Sequence, residues 1–214
     1  MTVEAKVNAG AHVIVTSPSA NRVYRSLSDA AVQRVSLSLG SGASMEWFPD
    51  STIPYAGSRF AQTIEVELAA GATILLWDAV AAGRVARDER WAFASLENEI
   101  RIHTAVGRSV IERFQVTPDS VGAFARNWDY VASFFVVGDA IESARGALLR
   151  EDLAALLEAD GSDLLGGVGE LSVPGLVVKL VARSAPVLAH AQETLWDRVR
   201  RELLGLPVPA LRRY

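Results

Sequence analysis

Residues 63–77 read TIEVELAAGATILLW. The first six alternate polar and apolar side chains, the period-two pattern of a strand with one buried face. Gly71 follows, where a positive φ suits a tight turn, and then a second apolar run, ATILLW. The same grammar occurs three more times. TVEAKV, RVSLSL and EIRIHT lead to Gly10, Gly42 and Gly107, and these lead to AHVIVT, ASMEWF and RSVIER. Strand, glycine turn, strand predicts a hairpin. The four glycines are spaced by 32, 29 and 36 residues, a loose repeat. The expectation is a mainly β array of stacked hairpins over residues 1–116, in a solenoid-like or sandwich arrangement around a continuous core.

The intervals between these units, 17–32, 49–61 and 77–97, are then expected on one common side of the array. The middle one carries WFPDSTIPYAGSRF (47–60). Pro49 and Pro54 fix φ and lack a backbone donor, so this segment ends strands or presents a stiff loop. The third carries GRVARDERW (83–91), with charges alternating up to Trp91. Arginine and aromatic residues are the types that dominate interface energetics, so these loops are candidates for partner docking.

From residue 117 the pattern changes to a smaller α/β part, 117–214, expected to pack on the array. YVASFFVV (130–137) reads as a buried strand, and residues 139–160 read as a helix with Asp139 and Glu142 spaced as a capping box and Gly161 at its end. GELSVPGLVVKLVA predicts two strands around Pro174 and Gly175. A last helix spans 184–204, with Val187, Ala191, Leu195 and Val199 on one stripe, Trp196 beside it and Gly205 as its stop.

Half of the 214 residues are hydrophobic and mean hydropathy is +0.21, oily for a soluble chain and suggestive of buried interfaces. The longest apolar runs are far too short to span a bilayer, and Glu4 and Lys6 interrupt any leader-like start, so a cytoplasmic location is expected. A net charge of −4 without a basic stripe argues against nucleic acid. There is no cysteine, and His12, His103 and His190 are scattered, so no tightly bound metal is expected. GSGAS (40–44) lacks the Lys-Ser/Thr of a phosphate loop. A carbohydrate-active β-solenoid enzyme using paired carboxylates, Asp50 with Asp78 or Glu89, is one alternative. A generic β-rich binding module is another. The residues favour an interaction protein over an enzyme.

Four blocks, in order, resemble the UreD (UreH) family of urease accessory proteins. They are GAHVIVTSPSANRVYRS (10–26), MEWFPDSTIPYAGSRF (45–60), LLWDAVAAGRVARDERWAF (75–93) and LWDRVRRELLGLPVPALRRY (195–214). Members of that family usually carry a further N-terminal segment, and Met1 falls inside what would be its last strand, so the chain is expected to lack it. The resemblance implies a non-catalytic chaperone or scaffold that helps assemble the nickel centre of apo-urease with a UreF-type helical protein and, through the complex, a UreG-type GTPase. It implies no cofactor of the protein's own, with nickel handled transiently, and neither nucleic acid nor membrane as partner. Mapped onto the matching blocks, the candidates for partner binding or nickel passage are Thr16, Arg22, Tyr24, Pro49, Asp50, Pro54, Tyr55, Asp78, Arg84 and Glu89.

Overall fold

A strand that alternates needs cover on one face, whereas a strand apolar throughout needs cover on both. That distinction separates the two halves of each glycine unit. The computed structural model describes residues 1–122, 125–142, 144–159 and 161–210. Strand β7 (Arg59–Leu68) alternates, burying Gln62, Ile64, Val66 and Leu68 on one face. Strand β8 (Thr73–Ala81) is buried at every position from Ile74 onward. Placed beside β7 as a hairpin it would expose a broad apolar face; instead the chain turns at Gly71 and crosses to a second sheet.

The same holds for β1 (Thr2–Val7) with β2 (His12–Thr16) and β4 (Ala31–Leu39) with β5 (Ser44–Phe48). Three of the four expected hairpins are therefore corners between two stacked sheets, and strands pair in parallel with the equivalent strand one coil later. The pairing β1–β4–β7–β9 is parallel, with β9 spanning Ser95–His103, and so is β2–β5–β8. The fourth unit is a true hairpin: β9 and β10 (Ser109–Val116) both alternate and pair antiparallel in the first sheet. The mainly β, solenoid-like class stands; the hairpins within its coils do not.

Partners in register lie 32 apart (Thr2 with Arg34), 29 apart (Ala31 with Phe60) and 36 apart (Arg59 with Ser95). These are the glycine spacings, so each interval is the length of one coil. At the corner, Gly10, Gly42 and Gly71 stack with φ of +69°, +65° and +72°, a region that favours glycine. Gly10 N–H donates to Ser41 at 3.0 Å and Gly42 N–H to Ala70 at 3.0 Å.

Short strands β3 (Asn21–Val23) and β6 (Thr52–Pro54) form a third side, with Thr52 in register with Val80 of β8. The three inter-coil intervals do share this side. The third interval begins later than expected, however, because 77–81 complete β8.

Beyond the coils, β11 (Tyr130–Gly138) pairs antiparallel with β8, β13 (Gly175–Ala182) with β11, and β12 (Leu164–Glu170) with β13. Strand β12 begins earlier than the sequence pattern suggested. Helix α1 spans Ala144–Ala159, preceded by a short 3-10 turn over Asp139–Glu142; the Glu142 side chain of the expected capping box lies outside the described residues. Helix α2 (Ala185–Leu204) starts at Ser184, whose hydroxyl accepts from Val187 N–H at 3.5 Å, and stops at the left-handed Gly205. The last four residues of the chain, 211–214, also lie outside the described residues.

The result is three layers. Leu37, Ile64, Val66, Ile74, Leu76 and Ile100 fill the space between the sheets. Phe48, Leu75 and Trp77 on the other face of the second sheet pack against Leu195, Trp196 and Val199 of α2. Phe48 and Trp196 stack with centroids 4.2 Å apart, an arrangement that contributes about 1 kcal/mol beyond burial. Glu46 of β5 is 0% exposed at this seam. Its carboxylate accepts from Trp196 Nε1 at 2.5 Å and from His12 Nε2 at 2.5 Å, with the Arg200 guanidinium 3.5 Å away. Among the described residues no helix is long and apolar enough to cross a membrane.

Candidate functional site

In the inward rows of three successive strands of the first sheet, one apolar side chain is replaced by a polar one. Gln33, Gln62 and Asn98 occupy registered positions on β4, β7 and β9. Their carboxamides form a ladder: Gln33 Nε2 donates to Gln62 Oε1 at 3.1 Å, and Gln62 Nε2 to Asn98 Oδ1 at 3.0 Å. Asn21 of β3 extends it, donating to Gln33 at 3.1 Å.

Asp78 of β8 faces this ladder from the second sheet and is 7% exposed. Gln62 Nε2 donates to its Oδ1 at 2.9 Å and Asn98 Nδ2 to its Oδ2 at 2.6 Å. Burial raises the Asp78 carboxyl above the usual carboxylate range, and these two hydrogen bonds and the charge of Lys179 oppose that rise without cancelling it.

The polar row continues across the second sheet, where Asp78 registers with Ser133 of β11 and Ser133 with Lys179 of β13. Lys179 Nζ donates to Ser133 Oγ at 2.8 Å, Ser133 Oγ donates to Glu112 Oε1 at 3.0 Å, and Lys179 pairs with Glu112 of β10. Burial brings the Lys179 ammonium down to about 8, with Asp78 opposing. A polar layer thus separates the inter-sheet core from a smaller cluster of Val80, Trp91, Phe93 and Leu96.

This layer opens at one end into a cavity of about 340 Å³ lined by Thr16, Pro49, Asp50, Gln33, Gln62 and Asp78, among others. Four of the ten expected site residues therefore meet: Thr16, Pro49, Asp50 and Asp78. Thr16 Oγ1 donates to the Phe48 carbonyl at 2.9 Å, tying the end of β2 to the end of β5. Asp50 closes its own turn by accepting from Ser51 N–H at 2.7 Å, and its N–H donates to Ser17 Oγ at 2.8 Å. The opposite end of the layer, at Glu112, Ser133 and Lys179, faces an open groove of about 490 Å³.

Four others build a separate surface on the third side of the solenoid. Tyr24, 66% exposed, meets Tyr55 edge-on with centroids 5.0 Å apart, and the Arg84 guanidinium lies 4.5 Å from the Tyr55 ring centre. Arg84 grips Glu89 with two nitrogens, Nε donating to Oε2 at 2.7 Å and Nη2 to Oε1. Glu89 Oε2 also accepts from Ala56 N–H at 3.3 Å, which joins the loop after β8 to the loop after β6. The Arg84 hydrogen bond lowers the Glu89 carboxyl below its ordinary range, and the reciprocal bond raises Arg84. Glu89 thus belongs to this corner and not to the cavity. Pro54 is buried beneath it at the end of β6, and Arg22 is exposed on β3, in register with Ile53. Leu27 nearby is 99% exposed.

Sequence reasoning missed Gln33, Gln62, Asn98, Ser133 and Lys179. The first three carried a signal: each interrupts the apolar phase of an alternating strand, as Gln62 does between Phe60 and Ile64. Asp78 was placed in a loop and stands in a strand, with its side chain in the polar layer.

The family model described as UreD urease accessory protein matches residues 1–214. A urease accessory protein UreD of Mycolicibacterium gilvum is 36% identical over 198 residues, covering 92% of this chain and 71% of the relative. Urease accessory protein UreD 2 of Streptomyces griseus is 36% identical over 209 residues, 94% of this chain and 70% of that protein. The UreD of Deinococcus radiodurans is 33% identical over 217 residues, 99% and 74% respectively. With matching blocks spread over both cavity and corner, the chain belongs to the UreD family of urease accessory proteins.

Proposed function

We propose that this protein is a non-catalytic scaffold for urease maturation in the cytoplasm, acting on apo-urease together with a UreF-type helical protein and a UreG-type GTPase. The observation that carries this reading is the convergence of Thr16, Asp50 and Asp78 on one largely apolar cavity inside a solenoid of this family. Nickel is the cargo here and not a cofactor of the chain. Hydroxyl, carboxamide and carboxylate oxygens bind late first-row divalent ions less firmly than imidazole or thiolate. A few oxygens of that kind set among apolar side chains suit an ion that must enter and leave. That both Asp78 oxygens are engaged by carboxamides supports this over a paired-carboxylate hydrolase.

The corner made by Tyr24, Tyr55 and Arg84 is the docking element of the proposal, with Arg22 and Leu27 at its edge. Pro54 and the Arg84–Glu89 grip hold it in place before a partner arrives, which lowers the ordering cost of binding. Tyrosine and arginine are the side chains most often found at energetic hot spots.

Co-expression with apo-urease and the two partners separates these roles. Asp78→Ala and Asp50→Ala are expected to leave co-purification intact and to lower the nickel content of urease several-fold. Tyr55→Ala with Arg84→Ala is expected to lose co-purification. Normal nickel content in both cavity variants and normal co-purification in the corner variant, all three well folded, would overturn the reading.

A further inference from the structure

The outer face of the first sheet carries a second grouping, on the side turned away from the cavity and the inter-sheet core. Glu65 and Glu67 stand two apart on β7, so both point outward on the same face. His103 is the cross-strand partner of Glu67 on β9, and Ser109 is the hairpin partner of His103 on β10. Three potential ligand atoms, one from each of Glu65, Glu67 and His103, lie within 4.8 Å of one another. His103 Nε2 is 3.6 Å from Glu65 Oε1 and 4.0 Å from Glu67 Oε1.

We propose that Glu65, Glu67 and His103 form a binding site for a late first-row divalent transition metal. The two carboxylates face an imidazole whose other nitrogen, Nδ1, lies 2.7 Å from Ser109 Oγ. In the tautomer that donates Nδ1–H to Ser109, Nε2 presents its lone pair to the space between the carboxylates. Metal-binding histidines commonly donate their other ring N–H to an oxygen that fixes the tautomer, and the Ser109 hydroxyl is placed to be that oxygen. Arg101, the registered neighbour of Glu65, turns away and binds Glu99, with Nε donating at 2.7 Å. The cation best placed to neutralise Glu65 is thus committed elsewhere. One imidazole with two carboxylates selects zinc, nickel, copper or cobalt over magnesium and calcium, which prefer all-oxygen sets. Side-chain exposures of 30% for His103, 46% for Glu65 and 63% for Glu67 leave the remaining coordination positions to water. A site left this open to water exchanges its ion readily. The proposal is independent of the urease reading, since the test reads metal binding by the protein alone.

Titration calorimetry of the purified chain with nickel(II) and with zinc(II) is expected to show a saturable phase that magnesium does not compete for and that persists in Asp50→Ala with Asp78→Ala. His103→Ala and Glu67→Gln are each expected to weaken it by about tenfold or more, and Ser109→Ala by a smaller factor. His12→Ala with His190→Ala is expected to leave it unchanged. His12 contacts the buried Glu46, whereas the other positions lie at or near the surface, so thermal midpoints check that the variants fold. A measurement that needs no variant is the NMR spectrum of the imidazoles during nickel(II) addition. Broadening confined to His103 supports the site. Equal broadening of all three histidines, or an unchanged isotherm in His103→Ala, would overturn it.

Discussion

The carboxylate of Asp139 accepts the backbone N–H of Gly71 at 3.1 Å, across 68 residues of sequence. In the two coils below, the equivalent glycine N–H donates to a backbone carbonyl, of Ser41 or Ala70, in the next coil. Asp139 therefore takes the place of a carbonyl where the glycine ladder has no further coil to bind. Asp139→Ala leaves that donor to water and is expected to destabilise the protein by about 1 kcal/mol. Asp139→Asn keeps an acceptor at the position and should recover most of the loss. Chemical denaturation midpoints of the two variants check this.

Asp78 makes stability depend on pH in an unusual direction. Burial raises its folded pKa above the unfolded value of 3.8, so the folded state holds the proton more tightly than the unfolded chain does. Its contribution is most favourable at low pH. It declines as pH climbs from 3.8 through the raised folded value, above which the cost is constant. Asp78→Asn removes this titration. The difference in thermal midpoint between variant and wild type should therefore shift in favour of the variant across that window and then level off. A difference that is flat with pH would show that folding leaves the Asp78 pKa unchanged, and a shift in the opposite direction would show that the folded protein holds Asp78 ionised.

Glu46 fixes α2 to the second sheet through Trp196 and Arg200. Glu46→Ala leaves a buried guanidinium without its carboxylate, a loss of about 3–5 kcal/mol. Trp196 emission should move to longer wavelength as the helix loosens. Replacing Glu46 and Arg200 together by Leu removes both charges and should be much milder than the single change.

Gly83 sits at φ +142°, and a Cβ there would fall 2.3 Å from the Glu89 carbonyl oxygen. Gly83→Ala must therefore displace the loop that presents Arg84 and Glu89. The expected cost is on the order of 2–4 kcal/mol, with loss of the Tyr55–Arg84 stack. Protease susceptibility within 83–91 should rise in the variant while the hairpin of β9 and β10 stays protected.

The glycine spacing in the sequence was the coil length, and the alternation of TIEVEL marked the first sheet. What the turn grammar could not say was whether a second strand lies beside the first or across from it. That information was present in the second strand: ATILLW has no polar face and RSVIER does, which is why only the latter folds back. The cavity was half legible. Asp50 and Asp78 drew attention as charges, whereas Gln33 and Gln62, which contact or line it, passed as ordinary strand residues. The Tyr24–Tyr55 pair and the Glu46–Trp196 bond were out of reach, because each depends on register between elements 31 and 150 residues apart.

The coils also differ in how they spend their length. From the first coil to the second, strands on both sheets advance by the same 32 residues, as Thr2 to Arg34 and His12 to Ser44 show. From the second to the third they advance by 29 on both sheets, as with Ala31 to Phe60 and Ser44 to Thr73. The edge with the stacked glycines is thus a ruler that tolerates no change. Most of the variation in coil length falls between the third side and the next first-sheet strand, in the arcs that hold Leu27 and Ala86, with a single residue per coil lost between the second sheet and the third side. Residues could be added or removed there without moving a single pair out of register. Such arcs are natural places to graft an epitope or a fluorophore, and also places where two related chains can diverge in what they recognise while the frame beneath stays the same.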